Sequence, residues 1–403
     1  MPHPSLECWH RELAEFREFG KETVTGSVEA GGRAVPAYLN EFWTAKQRDA
    51  HRLHEISYRA CFKPQLPRFF IERLTRPGDV VFDPFMGRGT TLLEAALLGR
   101  VPMGNDINPL SSHLVLGRLD PPLLPEIENR LTSLTWEFQG PIPEDLLVFY
   151  HEQTLRELCA LRSYLLTADD PIDRWIRMVA LNRLTGHSPG FFSVYTLPPN
   201  QAVSIASQRR INAQRNQTPP YRDVRKLILA KSRKLLAPLT AAERGILGGV
   251  KDHACLTHTP ARSLDGIADD SVQLVITSPP FLDVVDYATD NWLRCWFAGI
   301  DSASVCLTLP KGLDEWQEEM MACLRELRRI LKPGGFVAFE VGEVRKGKIR
   351  LEESVLNAGL AAGLSPQLVL INAQVFTKTA NCWGVANNTL GTNTNRIVVF
   401  RKN

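Results

Sequence analysis

The sequence predicts an α/β protein, with a mostly parallel, Rossmann-like sheet and a largely helical insert. Three observations lead there. Residues 77–106 read as strand, glycine turn, helix and strand, the opening unit of a parallel sheet. Short apolar, β-branched runs recur at 272–277, 336–341, 367–371 and 396–401. Between these two regions the apolar spacing turns helical.

The elements follow in order. Residues 1–75 look mixed and partly helical. Pro77-Gly78 makes a turn, and "DVVFD" (79–83) a buried strand. "TTLLEAALLGR" reads as a helix, capped by Thr90 and ending near Gly99. "VPMGND" is a second strand ending at Asp106. Residues 144–166 place Leu158, Leu161 and Leu165 on one helical face, and Ile172, Trp175, Ile176 and Val179 continue that spacing. After the strand Val272–Thr277, a helix carries Trp316, Met320, Cys323, Leu324, Leu327 and Leu331 until Pro333-Gly334-Gly335 stops it. Three parts result: a cofactor-binding half at 1–118, an insert at 119–250 and a second half at 251–403.

Bulk properties exclude several classes. The chain has 403 residues, 44% hydrophobic and 23% charged, with a net charge of +3. That suits a globular protein with a substantial core. No run of eighteen uncharged apolar residues suggests a membrane span, and the first twenty residues lack a signal-peptide core. The eight cysteines form no Cys-x-x-Cys pair, so neither a metal site nor a disulfide scaffold is expected. A reducing cytoplasm is the expected location.

"DPFMGRGTT" (83–91) leaves a strand and opens a helix. Gly87 and Gly89 allow a sharp turn and close approach of backbone to a ligand. Asp106, at the end of the next strand, is placed to bind a ribose diol. The third glycine of a dinucleotide fingerprint is missing, and no Gly-Lys-Ser/Thr follows. Asp83 at the mouth of the turn would repel a pyrophosphate and attract a cation. These features favour S-adenosylmethionine, a sulfonium with a ribose and no phosphate, over NAD.

"GDVVFDPFMGRGTTLLEAALLGR…GNDINP" together with "ITSPPF" resembles the amino-group DNA methyltransferases, in particular those acting on cytosine N4. "YRACFKPQLPRFFIERL" (58–74) is similar to the segment of that family that helps hold the methionine part of the cofactor, and "LRRILKPGGFVAFEVGE" to a later strand. The resemblance covers about 55–110 and 255–403, leaving out the insert. It implies a methyltransferase sheet. It also implies that Asp83, Pro84, Phe85, Gly87, Gly89, Thr90 and Thr91 surround the cofactor, and that Asp106 and Ile107 complete the site, Asp106 at the ribose. Ser278, Pro279, Pro280 and Phe281 would be the catalytic tetrad, with Ser in first place associated with cytosine N4. The Gly-Asp pair that often precedes the catalytic strand is absent from "LTHTPARSLDGI", so the adenine contact stays open, with Asp265 a weak candidate.

The chemistry suits these residue types. An exocyclic amino group is a poor nucleophile because its lone pair is delocalised into the ring. The Ser278 hydroxyl and Pro279 carbonyl can accept its hydrogen bonds and stabilise the charge that develops on nitrogen. Consecutive prolines fix that carbonyl, and Phe281 offers a face for a flipped base. No Pro-Cys pair supplies the nucleophile that methylation of cytosine C5 needs. Asp290 and Asn291, just beyond, read mainly as capping or solvated groups.

Residues 209–234 hold nine Lys or Arg, at 209, 210, 215, 222, 225, 226, 231, 233 and 234, opposed only by Asp223. Aromatic rings (Phe191, Phe192, Tyr195, Tyr221) and amides (Gln208, Asn212, Gln214, Asn216, Gln217) accompany them. Arg209, Arg210, Arg215, Arg222, Arg225 and Lys226 are therefore expected at DNA phosphates, with amides reading base edges. The expected partners are duplex DNA and, for a modification enzyme, a cognate restriction enzyme in a prokaryotic nucleoid. Adenine N6, RNA, and a DNA-binding protein without catalysis remain alternatives.

Overall fold

The structure is a computed structural model that describes residues 6–44, 50–59, 61–197, 202–280, 287–302, 305, 310, 312–341, 343–344, 349–373 and 394–403. Helix α1 (Leu6–Ala14) precedes a hairpin, β1 (Val24–Ala30) and β2 (Arg33–Asn40). Helix α2 (Gln65–Leu74) leads into β3 (Val80–Asp83), α3 (Thr90–Leu97), β4 (Val101–Asn105) and α4 (Leu110–Leu119). Six helices follow: α5 (Leu124–Ser133), α6 (Glu152–Leu165), α7 (Pro171–Leu181), α8 (Ile205–Arg215), α9 (Val224–Leu236) and α10 (Ala241–Val250). The sheet resumes with β5 (Cys255–Thr257) and β6 (Val272–Thr277), then α11 (Tyr287–Ala298), α12 (Leu313–Ile330) and β7 (Leu331–Val341). A two-residue pair, β8 (Glu343–Val344) and β9 (Ile349–Arg350), precedes α13 (Leu351–Ala361), β10 (Ser365–Ala373) and β11 (Thr394–Arg401).

Nine described strands form one sheet in the order β1-β2-β10-β11-β7-β6-β3-β4-β5. From β7 to β5 every pairing is parallel, as the βαβ pattern predicts. β11 runs antiparallel to both β7 and β10. The chain steps outward from β3 in both directions, so the order reverses between β3 and β6. Open α/β sheets bind ligands beyond the carboxyl ends of strands at such a reversal.

Alternation along the strands makes two cores. Val337, Phe339 and Val341 of β7 share one face with Trp316 and Leu324 of α12 and Val355 of α13. Phe336 and Ala338 take the other face, against Trp9 of α1 and Phe69 and Phe70 of α2. Glu340 occupies the next place on that second face, an acid 7% exposed in an otherwise apolar central strand. A third core joins α3 and α4 to the insert: Leu92, Leu93 and Leu114 pack with Leu158, Trp175 and Ile228. Local signals open two insert helices: Asp170 caps α7 ahead of Pro171, and Thr240 and Glu243 form a capping box on α10.

Three sequence expectations need correction. The region 1–75 contains the β1–β2 hairpin, and β2 joins the sheet beside β10. The partner of β2 there lies more than 300 residues along the chain, a contact no local pattern reports. α12 stops at Ile330, and β7 begins at Leu331 and runs through Pro333-Gly334-Gly335. Gly89 rather than Thr90 is the N-cap of α3, because the turn needs the left-handed backbone of φ +72° there.

Candidate functional site

The carboxyl ends of β3, β4 and β6 open into a cleft of about 1230 Å³, solvent at its mouth included. Asp83, Pro84, Phe85, Gly87 and Thr90 line one side, and Asp106, Ile107 and Asn108 continue it. Ser278 and Pro280 line the wall above β6. Of the residues expected around the cofactor, Gly89 and Thr91 lie behind this surface. Thr91 is fully buried and donates to the Ile276 carbonyl at 3.2 Å, tying α3 to β6.

The glycine turn is sterically dictated. Gly87 has φ +47° and Gly89 φ +72°, and a Cβ on Gly89 would sit 2.3 Å from Val115 Cγ2. The Gly87 amide is thereby turned onto Asp106 Oδ2 at 2.9 Å. Asp106 Oδ1 accepts from the Asn108 amide at 2.9 Å. Each carboxylate oxygen keeps a further lone pair for a ribose hydroxyl. Burial pushes the Asp106 carboxyl above its ordinary value.

Asp83 is held more firmly. Thr277 Oγ1 donates to Asp83 Oδ1 at 2.7 Å, and the Phe85 amide donates to the same oxygen at 3.0 Å. Burial nevertheless raises Asp83 to about 7, with the Asp106 charge adding to it. A bound cation would draw this group back to its ionised form.

Behind the Ser-Pro-Pro turn lie two groups that the sequence reading missed. The Glu340 carboxylate accepts from Asn395 Nδ2 at 2.6 Å, and the Ser278 hydroxyl, close by, favours its ionised form. Burial raises Glu340 above its ordinary value. Trp316 Nε1 donates to the Pro280 carbonyl at 2.9 Å, and its indole is 1% exposed. A signal for Glu340 was present in "FVAFEV": an acid inside a wholly apolar central strand must have a partner. Nothing comparable marks Trp316, which reads as a core residue of an amphipathic helix. Phe281, Asp283 and Asp286 lie outside the described residues.

Other expectations change in the folded chain. Asp265 is exposed, accepts from Ser263 Oγ at 2.8 Å and does not line the cleft. The segment Thr259–Arg262 lines it instead, held by Asn105, whose side chain bonds the Thr259 carbonyl and amide at 2.9 and 3.0 Å. Asp290 and Asn291 are buried rather than solvated: Asp290 pairs with Arg59 at 3.0 Å, and Asn291 accepts from Arg294 at 2.7 Å.

The insert's cations divide. Arg209, Arg210, Arg215, Arg225 and Lys226 are exposed, Arg222 is half-buried, and Lys231 is buried against Glu55 at 3.0 Å. Arg209 pairs with Asp145 and Lys226 with Asp223, while Arg215 stacks 3.8 Å over the Tyr195 ring. On α9, Arg225, Lys226, Arg233 and Lys234 are exposed opposite buried Ile228 and Leu235. Three of the amides expected to read bases are internally occupied. Gln208 and Gln217 both donate to the Tyr195 carbonyl, and Asn212 donates to Val148. Gln214 and Asn216 remain exposed. No described helix is long and apolar enough to cross a membrane, and no metal-ligating cluster occurs among the described residues.

Parts of the chain match known proteins. Residues 21–113 match the N6_N4_Mtase family, described as DNA methylase. The chain is 36% identical over 107 residues to the type II methyltransferase M.MjaII of Methanocaldococcus jannaschii, covering 26% of this chain and 20% of that one. It is 23% identical over 313 residues to the type II methyltransferase M.BsoBI of Geobacillus stearothermophilus, covering 69% and 57%. The chain thus spans between a fifth and three-fifths of these relatives. Among solved structures, TrmN from Thermus thermophilus aligns over 87% of this chain and 52% of its own, with 13% identity and a TM-score of 0.34.

Proposed function

We infer that this chain, whose matched segments resemble the amino-group DNA methyltransferases, transfers a methyl group from S-adenosylmethionine to the exocyclic N4 of a cytosine flipped out of duplex DNA. The observation that carries the reading is the single cleft that brings Asp83, Gly87 and Asp106 together with Ser278 and Pro280 at the carboxyl ends of β3, β4 and β6. Ser278 acts on the Glu340 carboxyl from the cleft wall, and a hydroxyl that donates to that carboxylate turns its oxygen's lone pairs to the cleft as acceptors. An amino group to be methylated needs such acceptors.

S-adenosylmethionine would supply an electrophilic methyl on a sulfonium. The donor set fits it: Asp106 suits the ribose, and buried Asp83 suits a cationic ligand. The chain's own residues do the rest. The Ser278 oxygen and Pro279 carbonyl accept the two amino hydrogens and favour a pyramidal nitrogen. Trp316 holds the Pro280 end of the turn. As the methyl arrives, the nitrogen becomes cationic and one of its protons passes to the Ser278 oxygen. The Ser278 proton moves in turn to Glu340, whose burial makes it a better base than an ordinary carboxylate.

Duplex DNA is the proposed substrate, approached through the exposed cations of α8 and α9. A cognate restriction enzyme is the partner this activity implies. Incubation with labelled S-adenosylmethionine and duplex DNA, followed by nucleoside mass spectrometry, tests the reading. Labelled N4-methylcytosine is expected. N6-methyladenine would keep the acceptor mechanism and overturn the target. Absence of any labelled nucleoside would overturn DNA methylation.

A further inference from the structure

We propose that Arg215 reads the major-groove edge of a guanine outside the target base pair, with Tyr195 as the platform that aims it; this rests on the DNA reading above. Arg215 is the last residue of α8, and its guanidinium lies 3.8 Å over the centre of the Tyr195 ring. The side chain is exposed, and among the described residues its donors have no hydrogen-bond or ion-pair partner. Several other cations of the insert are committed to protein groups. Arg209 pairs with Asp145 at 2.9 Å, Lys226 with Asp223 at 3.3 Å and Lys231 with Glu55 at 3.0 Å. Arg210 donates to Ser207 Oγ at 3.1 Å. An aromatic face instead fixes the plane of a guanidinium and leaves its N–H edge free.

The platform is itself held on several sides. Tyr195 bridges to Gly186. The neighbouring amides of Val194 and Thr196 donate to the carbonyls of Phe149 at 2.8 Å and Gly186 at 3.1 Å. The Tyr195 carbonyl accepts from Gln208 Nε2 at 3.1 Å and Gln217 Nε2 at 2.9 Å. Both amides also bond Asn212 Oδ1 at 2.8 Å, and Asn212 donates to the Val148 carbonyl at 2.7 Å. Gln208 and Asn212 belong to α8, so one network joins the helix that carries Arg215 to the ring that receives it. A long side chain oriented in advance loses less freedom when it binds.

Two features favour a base over a phosphate. Helix α8 is polar, with Gln208 its one buried residue and Arg209, Arg210, Ala213, Gln214 and Arg215 exposed. A helix displayed in this way has the size that the major groove admits, and there guanine presents two acceptors, O6 and N7, that match the forked donors of an arginine. Asn216, in the left-handed backbone at φ +46°, ends α8 beside Arg215. The carbonyl end of a helix carries partial negative charge, which opposes an anionic phosphate more than a neutral base edge. Arg215 is thereby assigned to a base rather than to the phosphate expected from the sequence.

In the test, the full chain and its variants methylate a pool of duplexes randomised around the target base, and the products are read by sequencing that detects the modified base. Wild type should require guanine at one position or more beyond the target base pair. Arg215→Gln replaces the fork by an amide that suits adenine. Its preference for guanine should fall about ten- to hundredfold at one such position and turn toward adenine, the other positions keeping theirs. Tyr195→Leu removes the platform and should weaken preference at the same position. Each protein is scored by its own ratio between sequences, so a general loss of activity cancels. A wild-type profile in either variant would overturn the proposal. An equal loss on all sequences in Arg215→Gln, with a salt slope smaller by about one, would also overturn it, since that is the mark of a phosphate contact. A wild-type profile without guanine beyond the target pair would do the same. Wild type that methylates no duplex would overturn the DNA reading and the proposal together.

Discussion

The indole nitrogen of Trp316 donates a 2.9 Å hydrogen bond to the carbonyl of Pro280. Proline has no amide hydrogen, so the Ser-Pro-Pro turn cannot be held by donors of its own there. The brace comes from α12, a helix that covers the sheet and lines the cleft with Glu319, Met320 and Cys323. Trp316→Phe keeps the ring and removes the donor. It should lower kcat about tenfold, the worth of roughly one hydrogen bond, with little change in the KM for S-adenosylmethionine. A variant with wild-type kcat would show that the brace is only structural.

Ser278→Ala should cost more. Removing one group aimed at developing charge lowers kcat by about 10²–10³-fold. Calorimetry should find binding of S-adenosylmethionine unaltered. Retention of full activity would remove Ser278 from the mechanism.

In the proposed mechanism Glu340 sets the pH response of the reaction. It must be ionised to take the proton, and burial raises it above the ordinary carboxylate range. The rate should therefore fall on acidification at a pH above that range. Glu340→Gln should lower kcat and flatten this acid limb. An acid limb that persists unchanged in the variant would assign it to another group.

Asp83 makes a separate prediction for stability without ligand. Its pKa is raised from 3.8 unfolded to about 7 folded. The protonated carboxyl's contribution to stability is complete below pH 3.8 and is gone once the pH has risen through about 7. Wild-type Tm should decline over that window, and Asp83→Asn should decline less. Parallel curves for the two proteins would refute the shift.

On α9, Arg233→Ala and Lys234→Ala should each weaken duplex binding and reduce the slope of log affinity against log salt by about one. Affinity for S-adenosylmethionine should not move. An unchanged salt slope would place DNA on another face.

The sequence by itself determined the sheet's parallel half, the glycine turn and the Ser-Pro-Pro terminus. These are local: β-branched runs, left-handed glycines and prolines impose their geometry within a few residues. Tertiary structure alone decided which side chains support that frame. Glu340 reaches Ser278 because β7 lies beside β6, and the β1–β2 hairpin joins the sheet through β10, far along the chain. Gln208, Asn212 and Gln217 look free in sequence, yet folding turns them onto the backbone carbonyls of Tyr195 and Val148. Hydrogen-bond partners and charge balance are properties of the packed whole, and a local pattern does not carry them.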